Sequence, residues 1–536
     1  MRQKATIQNQ VFLVLILQFS VYITGMAQPQ SVMEQKEWVA SIYSNIATAM
    51  GLVDRPAVEI DPFGRSSVAA MHYQKHQIVV DQQFVALCWR QFPTRAEDAM
   101  AFVLGHELAH YKFQHQWGEE FASSYAITDI AKEVGAAQAS LKALPMWETQ
   151  ADQVGGIFAY LAGYQPGDIA GPLLTAIYDT YGFPTHMEGY PSLQDRKAIA
   201  AANDQQIANW IKIYETGNYA TLAGAYEVAD YCFSHVIQEG FSSREVLNNH
   251  AVALTQQALL GLDDEQVRFA YPIELDLETR ITTNKRGAAA PELLLARARQ
   301  RLMQATWVDP AYATSWLNLA CVQSLLGELD DAQFYARKAL TLASSQSKKS
   351  TAANAKVAIG IIAALQGDNK AAQQWWKEAN KMGASLAEIN MTLLKEGLDE
   401  FPVSTTPSTG PPSIPIDGIN LPAEWGQQPF LPDPILHGMR NLYVCVDLPS
   451  SDMYFFQIKD SKGWVFHATR PNYTKPLLED IRKGTMANQL QAKWGAPRHL
   501  LATAQGEVWH YADKALLVQL DSDRKVTGWI TYLQSR

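Results

Sequence analysis

Four cysteines are few for a chain of 536 residues, and their placement rules out two uses of the residue. Cys88, Cys232, Cys321 and Cys445 lie far apart among apolar or aromatic neighbours. They form neither a Cys-x-x-Cys metal site nor the disulfide framework of a small secreted domain, so they read as buried free thiols. Beyond the N-terminus no apolar run approaches the roughly eighteen residues that a membrane-spanning helix needs, so no span is expected in the mature chain. Long basic runs are missing as well, and the net charge is -10. Nothing therefore argues for a nucleic-acid partner.

At the N-terminus, Met1-Arg2-Gln3-Lys4 is basic. The run from Val11 to Ile23 is apolar except for Gln18, Ser20 and the Tyr22 phenol, and Gly25-Met26-Ala27 puts small residues where a signal peptidase reads. About a dozen apolar residues is short for a span and fits a secretory signal. Residues 1–27 are accordingly expected to be a signal peptide, with an uncleaved N-terminal anchor as the alternative. The absence of a cysteine at the cleavage point argues against a lipid anchor.

The strongest chemical signal is His106-Glu107-Leu108-Ala109-His110. Two histidines four apart on a helix can grip one zinc ion, with Glu107 between them facing the water on the ion. Such a pentapeptide arises by chance in on the order of one chain in a hundred of this length, so its surroundings decide. Thr94-Arg95-Ala96-Glu97 reads as a capping box, and Ala99, Met100, Phe102, Val103, Leu104 and Leu108 make the helix apolar on most sides. Two histidines buried on such a helix need polar partners.

A third ligand is expected downstream, because catalytic zinc sites use three protein ligands and keep one position open. The helix expected from Pro145 to Leu161, closed by Gly163, places Glu148 and Asp152 one turn apart on one face. Glu148 is the candidate third ligand. Asp152 is the candidate acceptor that orients a ligand histidine and fixes its tautomer.

Together, His-Glu-x-x-His and Glu-x-x-Ala-Asp resemble the HtpX-like and CAAX-prenyl-endopeptidase-like zinc metallopeptidases, a gluzincin group, over roughly residues 35–200. The resemblance implies an endopeptidase with one Zn2+ on His106, His110 and Glu148, and Glu107 as general base. A further family motif, His-Pro followed by Arg, stands here as Tyr190-Pro191-Ser192-Leu193-Gln194-Asp195-Arg196. Arg196 matches and is expected to stabilise the site or bind substrate, whereas Tyr190 replaces the family histidine. Either Tyr190 donates to the developing oxyanion, or His186 takes the histidine's place, or Tyr190 is a half-buried aromatic in a loop. Upstream, Val68–Tyr73 and Gln77–Val80 read as a hairpin whose edge, by the same resemblance, an extended substrate joins. His72, His76 and His115 lack a ligand partner at usable spacing and read as surface residues.

The expected fold class is α+β. A mainly helical zincin-type domain with a small edge sheet (28–200) precedes a helical region (201–400), a Pro-rich linker (401–434) and a small α+β module (435–536). Trp316, Leu319, Ala320, Gly327, Ala332 and Ala339, then Gly360, Gly367, Ala372, Trp376 and Ala379, resemble tetratricopeptide repeats. Gly217-Asn218-Tyr219 and the helix near Leu247–Leu259 suggest degenerate units before them. In the last module four strands are expected, at Leu442–Val446, Val508–Tyr511, Leu516–Leu520 and Gly528–Tyr532, with a helix between Gly484 and Gly495. This order is similar to a small lipoprotein domain of outer-membrane assembly machinery.

The whole architecture resembles periplasmic BepA-like proteases. That implies a periplasmic zinc endopeptidase acting on misassembled envelope proteins, with repeats that recruit substrates or an envelope-assembly partner. Two other readings stand beside it: an adaptor or chaperone-like scaffold with a self-blocked zinc site, and a secreted digestive protease that does not need its repeats.

Overall fold

A computed structural model of the chain describes residues 31–52, 54–63, 67–113, 144–186, 191–238, 243–263, 267–277, 290–396, 416, 442–457, 463–477 and 481–534. The segment expected to be a signal peptide (1–27), His115, Tyr190 and all of the expected Pro-rich linker except Ile416 lie outside these residues. The described part is mostly helical with two sheets. It divides into two compact units, Met1–Gln206 and Ile207–Arg536.

The first unit opens with helix α1 (Val32–Ala49), which buries Trp38, Ile42 and Ile46. Ser31 and Glu34 form a reciprocal capping box at its start, worth about 1 kcal/mol. A three-stranded sheet follows in the order β1 (Ala57–Asp61), β3 (Gln77–Asp81), β2 (Ala69–His72). The expected hairpin is its β2–β3 pair. Strand β1, which runs parallel to β3, was not expected. Asp81 ends the sheet and caps helix α2 (Gln82–Gln91), accepting from the Gln83 N–H at 3.0 Å. Tyr181 donates to its other oxygen at 2.9 Å.

Helix α3 (Ala96–Phe113) runs through the middle of the unit, with Met100, Leu104 and Leu108 wholly buried. Each such side chain contributes roughly 1.5–3 kcal/mol through burial. The helix starts one residue later than the capping box Thr94–Glu97 implies, because the Arg95 carbonyl accepts its first bond, from Ala99. Arg95 ties this end down instead, pairing with Asp98 and with Asp168 on helix α5 (Gly167–Tyr181).

Helix α4 (Leu144–Leu161) crosses α3 where Gly105 meets Gly155. A Cβ on Gly105 would lie 2.4 Å from the Gly155 carbonyl oxygen, and one on Gly155 would lie 2.5 Å from the Gly105 carbonyl carbon. Only bare backbone fits. Gly163 ends the following turn at φ 101°.

In the second unit, the later part of α6 (Leu193–Leu222) leads into α7 (Tyr226–Gln238), α8 (Arg244–Leu259), α9 (Pro291–Val308), α10 (Ala313–Leu325), α11 (Leu329–Ser345), α12 (Lys349–Leu365), α13 (Asn369–Lys381) and α14 (Ser385–Glu396). From α9 onward each helix packs on the next. Gly327 and Gly367 turn the chain at φ 83° and 86°, where a side chain would be strained. Gly217-Asn218-Tyr219 marks no turn. It lies within α6, where the missing Cβ of Gly217 leaves room for the Phe233 ring.

The C-terminal sheet has seven strands rather than the four expected: β4 (Leu442–Asp447), β5 (Ser451–Gln457), β6 (Gly463–Thr469), β7 (His499–Thr503), β8 (Gly506–Tyr511), β9 (Leu516–Asp521) and β10 (Val526–Gln534). Their order is β4-β5-β6-β10-β9-β8-β7, and every pairing is antiparallel. The expected helix is α15 (Ala487–Trp494). Cys88, Cys232 and Cys321 are buried free thiols, as expected. No helix among the described residues is long and apolar enough to cross a membrane.

Candidate metal centre

Helix periodicity puts His106 and His110 on one face of α3, and the glycine crossing brings α4 close enough for Glu148 to complete a triangle. The two Nε2 atoms lie 3.0 Å apart. His106 Nε2 is 3.4 Å from Glu148 Oε2, and His110 Nε2 is 3.4 Å from Glu148 Oε1. Among the described residues these three form the group whose donor atoms lie close enough to share an ion. A tetrahedral zinc with bonds of about 2.0–2.1 Å separates its ligands by roughly 3.3 Å. The triangle fits that size.

The electrostatics also fit a cation. Burial works against charge on His106, yet the Asp152 and Glu148 carboxylates prevail and lift its pKa to about 10. A site that draws a proton onto a buried imidazole is a site that accepts positive charge. Burial likewise opposes ionisation of Glu148, but the two histidines and Arg196 hold its carboxyl below the ordinary range.

Asp152 lies one turn beyond Glu148. Its Oδ1 takes the His106 Nδ1 proton at 2.9 Å, leaving Nε2 free to point into the triangle. Arg196, on the first turn of α6, clamps the same carboxylate: Nε to Oδ2 at 2.7 Å and Nη2 to Oδ1 at 2.6 Å. Asp152 is thereby held well below the usual carboxylate range despite its burial. Arg196 acts on the site through Asp152.

Glu107 is buried on α3 beside the triangle. Burial, together with the neighbouring Glu148 charge, raises its carboxyl above the ordinary range, while His106 and a main-chain hydrogen bond from Met71 pull the other way. That bond has a topological cause. Val68 and Asp81 form a hydrogen-bonded pair, so Ala70 and His72 face β3, whereas Ala69 and Met71 turn their main-chain groups to the outer edge of the sheet. Glu107 thus sits against the outer edge of β2. Tyr73, just past that strand, donates to the His110 carbonyl at 2.5 Å and ties the sheet to the motif helix.

His186 is exposed and stands outside the ligand group. His72 and His76 are half-buried rather than free on the surface, and His76 pairs with Asp54 at 3.2 Å and Tyr111 at 2.9 Å. The residues that sequence reasoning missed are Gly105 and Gly155. Their only signal was a glycine in each of two apolar helices, which by itself weakens a helix.

Residues 33–196 match the model of peptidase family M48. The match covers both histidines, Glu107, Glu148, Asp152 and Arg196, and it supports a metallopeptidase in the first unit. M48 peptidases are metal-dependent, usually with zinc, and His106, His110 and Glu148 are the residues here that could hold the ion. No curated protein matches the chain.

Proposed function

We propose that this chain is an exported zinc endopeptidase that hydrolyses peptide bonds of misfolded or misassembled envelope proteins, with its helical repeats, tetratricopeptide-like in spacing, recruiting substrates or partners. The observation that carries the reading is the closed set of His106, His110 and Glu148, with Asp152 and Arg196 behind it and Glu107 beside it.

When bound, zinc supplies Lewis-acid chemistry, acidifying a water toward a pKa of about 7 and polarising the scissile carbonyl. The residues of the chain do the rest. Asp152 keeps the His106 proton on Nδ1. A Glu107 carboxylate oxygen takes a proton from the attacking water and gives it to the departing amine nitrogen as the C–N bond breaks. The outer edge of β2 offers the Ala69 main-chain groups and the Met71 carbonyl to an extended substrate, which would lie as a further strand next to Glu107, whose carboxylate takes the Met71 N–H.

The test uses the purified full-length protein with unfolded casein. Cleavage is expected, lost with a chelator and restored by zinc. Glu107→Gln should lower the rate by about 10^2- to 10^4-fold while keeping one metal per chain. Cleavage by that variant at the wild-type rate would sink the mechanism. A wild-type protein that binds casein and never cuts it would favour the adaptor reading.

A further inference from the structure

The second unit contains a buried ladder of asparagines that grips an extended piece of its own chain. Asn249, Asn318, Asn354 and Asn390 are each the sixth residue of their helix, in α8, α10, α12 and α14. The last three recur at a spacing of 36 residues. All four are buried.

Three of these side chains hold both polar groups of one residue's main chain. Asn390 accepts from the Ala270 N–H at 2.8 Å and donates to its carbonyl at 2.9 Å. Asn318 does the same to Glu274, at 2.7 Å in each direction. Asn249 accepts from the Asp276 N–H at 2.8 Å and donates to the Asp276 carbonyl. Ala270, Glu274 and Asp276 therefore face the ladder, the Ile273 N–H turns back onto the Tyr271 carbonyl at 3.0 Å around Pro272, and Leu275, between two clamped residues, faces the sheet. Its N–H donates to Ala502 and its carbonyl accepts from Ala504, both at 3.1 Å.

Clamping a main-chain N–H and C=O with one carboxamide requires an extended chain and is indifferent to the side chain carried there. Side-chain selection enters at three places. Thr351 and Asn354 each donate at 2.9 Å to one oxygen of Glu274. Tyr312 and Gln505 donate to Asp276 at 2.5 and 3.0 Å. Phe269 packs on Trp376, ring centroids 5.7 Å apart. A buried carboxamide without partners is costly, so this row of asparagines is built to be covered by polypeptide.

We propose that the groove lined by Asn249, Asn318, Asn354 and Asn390 is a binding site for an extended polypeptide segment bearing an acidic side chain, and that residues 269–276 are its resident occupant, exchanged for such a segment from another protein. The site is independent of the metal centre and would serve a chain that cleaves nothing. An occupant tethered in cis acts at an effective concentration on the order of millimolar. A free segment of equal intrinsic affinity therefore binds the intact chain weakly, and binds strongly once the resident strand is disabled.

The probe is a fluorescein-labelled peptide with the sequence of residues 268–277, followed by anisotropy on the full-length protein. It should bind a chain whose residues 269–277 are replaced by glycine and serine at least about tenfold more tightly than wild type. In that background Asn318→Ala and Asn390→Ala should each weaken binding about tenfold, as should Glu274→Lys within the peptide. A replaced chain that keeps its helical circular dichroism yet binds no peptide, or asparagine variants that bind it unchanged, would overturn the proposal. If the replaced chain does not fold, amide hydrogen exchange on the wild type decides. Loss of protection across Ala270–Asp276 with excess peptide supports exchange of the occupant. Unchanged protection with no peptide bound makes the segment a fixed structural strand and ends the proposal.

Discussion

Arg196 and Asp152 meet in a two-point clamp, and the Asp152 oxygen that takes Nη2 of Arg196 also takes Nδ1 of His106. The guanidinium thereby sets the orientation of a metal-facing imidazole that it never touches. Asp152→Asn should lower metal affinity about 10- to 100-fold. Arg196→Lys keeps the charge but cannot make both bonds, and should cost about tenfold. Competition with a chromophoric chelator measures both, and equal affinity in all three proteins would remove Asp152 and Arg196 from the site.

The crossing of α3 and α4 gives a sharper test because a control lies one residue away. Gly105→Ala and Gly155→Ala each force a methyl group into opposing backbone, and should cost about 1–3 kcal/mol together with loss of metal. Gly156→Ala meets only the Asn203 side chain, at 3.8 Å. It should be neutral or stabilise by up to about 1 kcal/mol through helix propensity. Thermal unfolding and metal content of the three variants check the contrast.

Metal removal should destabilise the first unit selectively. The ligands come from two helices separated by a long stretch of sequence, so an ion bound only by the folded form adds about 2.7 kcal/mol when it is a hundredfold above its dissociation constant. Calorimetry with and without chelator should show one transition move and the other stay. Two unmoved transitions would mean that no ion is held.

Glu274 gives a pH dependence to the second unit. Burial lifts its carboxyl to about 7, with Asp276 adding to the rise and Asn354, Thr351 and Lys348 opposing it. The folded state thus holds a proton that the unfolded chain has released between about pH 4.5 and 7. Stability from this group falls as pH rises through that window, by about 3 kcal/mol, and is level above it. Glu274→Gln carries no such charge, so its denaturant midpoint should change less than that of wild type between pH 5 and pH 8.

What could be read from the sequence was whatever a local pattern encodes. His106, Glu107 and His110, then Glu148 and Asp152, announce themselves because helical spacing fixes which side chains share a face. The hairpin after Val68 and the helix ending near Gly163 were legible for the same reason. Strand β1 was not, since among the described residues its five residues pair with β3, in a parallel pairing that no neighbouring residue signals. Strands β5, β6 and β7 were missed for a different reason: they pair antiparallel with their sequence neighbours, but their residues lack a clean alternation of apolar and polar side chains. The asparagines at 36-residue spacing stand in the sequence, but a buried asparagine leaves no mark on the apolar periodicity that reveals a helix. Their meaning depends on the segment they hold, which has no period and carries Pro272.

That segment has a consequence for dividing the protein. With one edge on the asparagines and Leu275 hydrogen-bonded to the Ala502–Ala504 stretch, it acts as a seam between the helical array and the seven-stranded sheet. A chain shortened at residue 400 would keep helices α1 to α14 but lose α15 and the sheet, and so leave the Leu275 amide and carbonyl without their Ala502 and Ala504 partners. The cut ends at an adhesive edge, so such fragments should self-associate rather than behave as soluble parts.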